Sequence, residues 1–210
     1  MPQTPARIIR TVCVFCGSSS GARPDYEIAA AKLGRALTRR NIALVYGGAR
    51  VGLMRTVADA VLETGGKVVG VIPELLVSRE IAHDGLTELR VVGSMHERKA
   101  TMAELADAFM LLPGGFGSWE EFCEVVTWAH LGLHTKPCGL LNVSGYYSSF
   151  LALAERAVAE GFVRPSHRQA IVVDEDPDRL LDQLGSVAAI SESKWMTRPG
   201  EVRLKPDTTY

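Results

Sequence analysis

Neither sign of charge prevails in this chain. Against 24 acidic residues stand 23 lysines and arginines, for a formal net charge of −1 at pH 7. That balance, with no run of basic residues, gives no electrostatic case for binding nucleic acid or a membrane surface. Long apolar runs are missing as well; the longest are strand-length, which argues against a transmembrane helix. The first ten residues, MPQTPARIIR, hold no apolar segment of the kind a secretory leader needs. No signal peptide is expected, and a cytoplasmic protein is the default. Cysteine is scarce, four in 210 residues. Cys13 and Cys16 form a C-x-x-C, but within the strand-like run IIRTVCVFCG, where positions three apart point to opposite faces. No second C-x-x-C follows, and Cys123 and Cys138 stand alone. The cysteines read as core residues, with neither a disulfide nor a metal site expected.

Standard nucleotide and metal signatures are absent too. There is no G-x-x-x-x-G-K-[ST], which argues against a Walker-type NTPase. In the stretch from Gly115 to Glu120 (GFGSWE), glutamate replaces the third glycine of a dinucleotide fingerprint, which disfavours a redox dinucleotide enzyme. His96-Glu97 lacks the second histidine of a zincin, because Ala100 occupies its place. His130 and His134 are four apart, but Gly132 and an expected helix end between them argue against a metal pair.

What is present alternates. Apolar, β-branched runs at 8–15, 42–46, 67–72, 87–92, 107–112, 136–143 and 169–174 are separated by helix-like stretches at 25–40, 53–64, 95–106, 118–131, 146–160 and 177–184. The first helix carries Ile28, Ala31, Leu33 and Leu37 as its apolar set, the second Val57, Ala60 and Val61. Strands alternating with helices predict an α/β fold: a Rossmann-like, doubly wound parallel sheet with helices on both faces. One domain is expected over 1–190, followed by a polar tail over 191–210. The stretch 73–85 reads as the longest irregular connection and a candidate site loop.

Ligands in such sheets bind beyond the carboxyl ends of the strands. Three loops rich in small residues fall there, at 16–21 (CGSSSG), 46–52 (YGGARVG) and 113–118 (PGGFGS). Together they suggest a nucleotide or phosphosugar site, with Gly17, Ser18, Gly47 and Gly48 as candidate contacts. The third loop belongs to LLPGGFGSWEE (111–121), which poses a puzzle: a glycine loop opening a helix attracts phosphate, yet two acids follow it. Ser118 and Glu121 also fit a capping box, S-x-x-E, with Ser118 as N-cap. Capping accounts for those two residues but not for the glycines before them, so both readings stay open. A second stretch, SMHERKATM (94–102), begins a helix on the same sheet edge. Arg98 and Lys99 lie in its early turns, where cations oppose the helix dipole, and so point to an anion nearby.

Taken together, these residues resemble the LOG ("Lonely Guy") family of cytokinin riboside 5′-monophosphate phosphoribohydrolases, long labelled lysine decarboxylases. The resemblance covers 8–185. The family's P-G-G-x-G-T-x-x-E corresponds to PGGFGSWEE (113–121) and its R-K pair to Arg98-Lys99; FCGSS, YGGARVGLM, GVIPELL, EVVTWAHLGLHTKPCGLLNVSGYY and EGFV match as well. Ser118 stands where threonine is usual. The resemblance implies a homodimer that binds a nucleoside 5′-monophosphate and hydrolyses its N-glycosidic bond to free base and ribose 5-phosphate, with no cofactor. Carried over by motif, Arg98 and Glu121 are the catalytic residues. Glu80, Lys99, Gly114, Gly115, Phe116, Gly117, Ser118, Glu120 and Thr127 contact substrate, and Met95 joins the 73–86 loop at the base. Phosphate is thus expected at 115–118 and chemistry at 121. The alternatives on this fold are a general AMP nucleosidase and a non-catalytic carrier of a nucleotide or molybdenum cofactor. A lysine decarboxylase would need a Schiff-base lysine in a larger scaffold.

Overall fold

Five residues of β1 (Thr11–Phe15), TVCVF, show the plan of the molecule. In the computed structural model, which describes residues 7–77 and 81–187, their side chains alternate between two hydrophobic layers. Val12 and Val14 enter one cluster, Cys13 and Phe15 the other, as the two-residue period of a strand requires. Cys16 joins the Val12 layer, so the C-x-x-C is split across the sheet as expected. Cys138 is also buried, whereas Cys123 is exposed on a helix surface and does not serve the core.

After β1 come α1 (Pro24–Arg39), β2 (Ala43–Tyr46), α2 (Gly52–Glu63), β3 (Val68–Pro73), α3 (Glu74–Val77), β4 (Glu88–Val92) and α4 (Met95–Leu105). The second half adds β5 (Ala108–Leu111), α5 (Phe116–His130), β6 (Cys138–Leu141), α6 (Ser148–Ala159), α7 (Pro165–Gln169), β7 (Ile171–Asp174) and α8 (Pro177–Ser186). The strands form one parallel sheet in the order β4-β3-β2-β1-β5-β6-β7. Residues of α1, α2 and α8 pack on one face, and residues of α4, α5 and α6 on the other. This is the expected doubly wound α/β domain, with its strand order reversing between β1 and β5. Among the described helices none is long and apolar enough to cross a membrane.

The layers are held by apolar burial and by close approach. Leu33, Leu37, Leu44, Phe109 and Leu111 are fully buried, each contributing about 1.5–3 kcal/mol relative to exposure. On α1, however, Ile28 points to solvent at 61% exposure, contrary to its expected place on the buried face. Small residues take the contact instead, because α1 and α2 nearly touch: a Cβ at Gly34 would lie 2.7 Å from the Ala60 Cβ.

Two short helices, α3 and α7, were not legible as periodic stretches. The described residues of the 73–85 connection are more regular than expected: β3 reaches Pro73, α3 follows, and residues 81–83 return against 48–50. There Arg50 N–H donates to the Ile81 carbonyl (2.9 Å) and His83 N–H to the Gly48 carbonyl (3.0 Å). Glu80, the domain limit expected at 190 and the tail at 191–210 lie outside the described residues.

Candidate active site

The puzzle of LLPGGFGSWEE resolves at the start of α5. Its N-cap is Gly115, which offers no side-chain oxygen, so the first N–H groups of the helix have no side-chain cap. Ser118 is therefore not the N-cap, and no capping box forms with Glu121. The helix starts two residues earlier than expected because Gly114 lets the chain fold tightly: a Cβ on Gly114 would overlap the Ser118 Oγ. Ser118 turns inward and is buried. Glu121, displaced into the second turn, points into the protein. The same S-x-x-E pattern does cap the preceding helix. Ser94 Oγ accepts from Glu97 N–H (3.1 Å), and Glu97 Oε2 accepts from Gly93 N–H (2.8 Å).

That cap fixes the register of α4, which carries the two cations. Arg98 is only 7% exposed. Its Nε donates to the Val71 carbonyl (3.0 Å) and its Nη1 to Glu121 Oε1 (3.1 Å). Lys99 Nζ reaches Glu120 Oε1 (2.6 Å) and Glu124 Oε2 (3.1 Å). The anion that the cations of α4 called for is thus the acidic group Glu120, Glu121 and Glu124 beyond the first turn of α5. Burial pushes the Glu121 carboxyl above its ordinary pKa; Arg98 works against that rise and Glu120 adds to it. A buried carboxylate held by one guanidinium and raised in proton affinity is suited to general-base or charge-stabilising work.

Around this pair lies a cleft of about 430 Å³ at the carboxyl edge of the sheet. Ser18, Gly47, Ser118, Arg98 and Glu121 give it a polar side; Met54, Leu76, Ile81 and Met102 give it an apolar one. A neighbouring hollow of about 290 Å³ shares Ser18 and Gly115 with it and adds Gly17, Gly114, Tyr26 and Tyr146. It sits where β1 and β5 diverge, the crevice expected to receive ligands. Gly115 and Gly117 differ from Gly17, Gly47, Gly48 and Gly114 around them: a Cβ on either would meet nothing within 4 Å. Neither has a positive φ. Packing and backbone strain therefore give no reason for glycine at 115 or 117, whereas approach of a ligand to the bare backbone does.

A family model described as "Possible lysine decarboxylase" matches residues 54–184. The cytokinin riboside 5′-monophosphate phosphoribohydrolase of Rhodococcoides fascians is 53% identical over 182 residues, 86% of this chain and 89% of its own. An Arabidopsis thaliana enzyme of the same name is 52% identical over 184 residues, 88% of this chain and 84% of its own. The chain belongs to the LOG family. Two solved structures show its fold at low identity. The molybdenum cofactor binding protein of Rippkaea orientalis has a TM-score of 0.63 at 17% identity, covering 83% of this chain and 94% of that one. The carrier protein of Chlamydomonas reinhardtii has a TM-score of 0.62 at 19% identity, covering 83% and 96%.

The residues carried over from the LOG motifs separate into groups. Ser18, Gly47, Arg98, Gly115, Phe116, Gly117, Ser118 and Glu121 line the cleft, while Gly17 and Gly114 line the adjoining hollow. Gly48 lies behind, turning the chain at φ +74. Lys99 and Glu120 do not line the cleft, being paired with each other beside it. Nor does the single chain bring Met95 or Thr127 to it: Met95 is 48% exposed, and Thr127 Oγ1 bonds back to the Cys123 carbonyl (2.7 Å). From the 73–86 loop, expected at the base, Leu76 and Ile81 line the cleft, whereas Cys16, Met54 and Met102 were missed. Met54 lies inside the YGGARVGLM motif, but nothing in its spacing marks it as wall rather than core.

A second, small cavity lies at the other edge of the sheet, among His130, His134, Lys136, Cys138 and His167. With about 20 Å³ it holds roughly one water. Both His134 nitrogens are used by the backbone: Nε2 bonds the Val125 carbonyl (2.8 Å), and Nδ1 accepts from Lys136 N–H (3.1 Å). Burial lowers the pKa of His134, which favours the neutral ring. Among the described residues no group of three or more His, Cys, Asp or Glu could hold a metal ion.

Proposed function

We propose that this LOG-family protein hydrolyses the N-glycosidic bond of an N6-modified adenosine 5′-monophosphate, releasing the free base and ribose 5-phosphate. One observation carries the reading: the buried Arg98–Glu121 pair borders a helix start whose cap is glycine and whose Gly115 and Gly117 leave the backbone open. The 5′-phosphate binds the N–H groups at the start of α5, where the helix dipole favours an anion. Glu121, one turn on, serves the ribose. As the bond from C1′ to the base nitrogen breaks, C1′ gains oxocarbenium character, as in glycoside hydrolysis. The carboxylate stabilises that charge or takes the proton of the water that bonds to C1′, and that proton ends on the departing base nitrogen. Arg98 keeps Glu121 in place and ionised. Acid and phosphate are neighbours with different targets, so the glycine loop and the carboxylate no longer conflict.

The reaction needs no metal or redox cofactor, and neither nucleic acid nor a membrane is part of it. The relatives' names support the substrate, and the apolar wall of Met54, Leu76 and Ile81 fits a base with an apolar substituent. A homodimer and a cytoplasmic location belong to the same proposal. A decarboxylase would place a lysine amine in the cleft; among the described residues no lysine lines it. The test is to incubate the protein with N6-isopentenyl-AMP and with AMP and to resolve the released bases by chromatography. Release from the first substrate is expected to exceed release from the second; the reverse would favour a general AMP nucleosidase, and binding without release a carrier. Glu121→Gln should lose about 10²–10⁴-fold in kcat. Wild-type turnover by that variant would refute the role of Glu121.

A further inference from the structure

Gly47 was expected among the substrate contacts, yet its surroundings give it a different task. The ladder between β2 and β3 ends at Tyr46 and Gly70, and the next carbonyl of β3, that of Val71, is taken by Arg98 Nε at 3.0 Å. With Nη1 on Glu121 at 3.1 Å, the guanidinium is held at two points of its fork. Its remaining nitrogen, Nη2, faces Gly47. A Cβ there would overlap Nη2 and the Met54 Cε and come within 3.1 Å of the Arg98 Cζ. Gly47 has no positive φ, unlike its neighbour Gly48 at +74, so its backbone does not require glycine. What requires it is the cation above it.

We propose, on the hydrolase reading above, that Gly47 is a positioning residue: with the Val71 carbonyl it forms the seat that holds the Arg98 guanidinium against Glu121. A side chain at 47 drives the guanidinium away from the position in which Nε meets Val71 and Nη1 meets Glu121, because its Cβ would take the space of Nη2. Met54, a flexible side chain, can yield; the two-point guanidinium cannot without releasing a partner. The charged and titratable groups facing Glu121 are Arg98 and Lys99 from α4, Glu120 and Glu124 on its own helix, and the thiols of Cys13 in β1 and of Cys16 just after it. Arg98 is the cation bonded to Glu121, so its displacement should be felt first in the proton affinity of that carboxylate.

The test is Gly47→Ala, alone and combined with Arg98→Ala. On N6-isopentenyl-AMP, Gly47→Ala is expected to lose about 10²-fold in kcat, the scale for an ångström of misplacement, with a much smaller change in KM. In carboxyl ¹³C NMR of glutamate-labelled protein, the Glu121 titration midpoint should move to higher pH, as in Arg98→Ala. Adding Gly47→Ala to Arg98→Ala should change kcat and midpoint no further and Tm little, since the Arg98 atoms are gone and only the flexible end of Met54 is still overlapped. An unchanged midpoint in Gly47→Ala overturns the seat. So does an equal further loss of kcat or Tm in the Arg98→Ala background, which would mean that Gly47 acts on substrate or fold without Arg98. If Gly47→Ala alone fails to fold, the double variant decides: recovery to the stability of Arg98→Ala supports the seat, and failure to recover refutes it. Midpoint and Tm need no substrate. Absence of turnover by the wild type would therefore overturn the reaction while leaving the seat testable.

Discussion

Gly114, Gly115 and Gly117 lie within four residues and do different work. Gly114 is glycine for the protein's sake, because Ser118 and Gly17 occupy the space of its missing side chain. Gly114→Ala is expected to lower stability by about 1–3 kcal/mol through overpacking, read as a lower Tm. Gly115 and Gly117 are open. Alanine at either should leave Tm nearly unchanged but raise KM for the 5′-monophosphate about 10- to 100-fold, the effect of disturbing one or two hydrogen bonds to a charged group. Hydrolysis of the matching nucleoside, which lacks the phosphate, should not respond; an equal response would place the phosphate elsewhere. The sequence displayed the glycine cluster plainly but could not sort it, because a missing Cβ is explained by atoms from α5 and from the loop after β1 that only the fold brings close. Glu121 makes a second residue-scale prediction. Its pKa is raised by burial, and the ionised form is the active one, so kcat/KM should fall as pH drops through a midpoint above the ordinary glutamate value. Arg98→Ala, which removes the lowering influence, should push that limb higher still. A limb at or below the ordinary value would mean that another group titrates.

Elements were more legible than their ends. Seven β-branched runs gave seven strands, and the alternation with helices gave the parallel sheet, because both periods are properties of the local chain. Helix starts depended on contacts that the chain cannot announce. S-x-x-E occurs at Ser94–Glu97 and at Ser118–Glu121, and only the first is a capping box. The second failed because Gly114 before it lets α5 begin early, which converted Glu121 from a cap into a partner of Arg98. Ser94→Ala should therefore cost about 1 kcal/mol, or about 2–4 °C in Tm for a domain of this size. Ser118→Ala should cost nothing through capping. Should Ser94→Ala leave Tm unchanged, the assignment of the cap to Ser94 would be wrong. The link between α4 and α5 is a further case. Arg98 and Glu121 are 23 residues apart on helices flanking β5, and the resemblance, not their spacing, singled them out.

At the scale of the whole molecule, the doubly wound sheet places its loops at one edge, and the cleft forms where strand order reverses. Yet the family motif names more residues than that cleft uses. Met95, Glu120 and Thr127 are exposed in the single chain, while Phe116, at the cleft mouth, is 84% exposed. A monomer has little use for an uncovered phenylalanine there, since large exposed apolar groups tend to mark contact surfaces. The proposed homodimer offers a single account of both facts if the faces of α4 and α5 meet a second copy. A mass measurement in solution should then give twice the chain mass. Activity per chain should fall as the protein is diluted through the dimer dissociation constant, and Met95→Ala and Thr127→Ala should alter KM without altering Tm of the isolated chain. A stable monomer with full activity at all dilutions would leave those residues without a role in the reaction and would confine the site to the groups around Arg98 and Glu121.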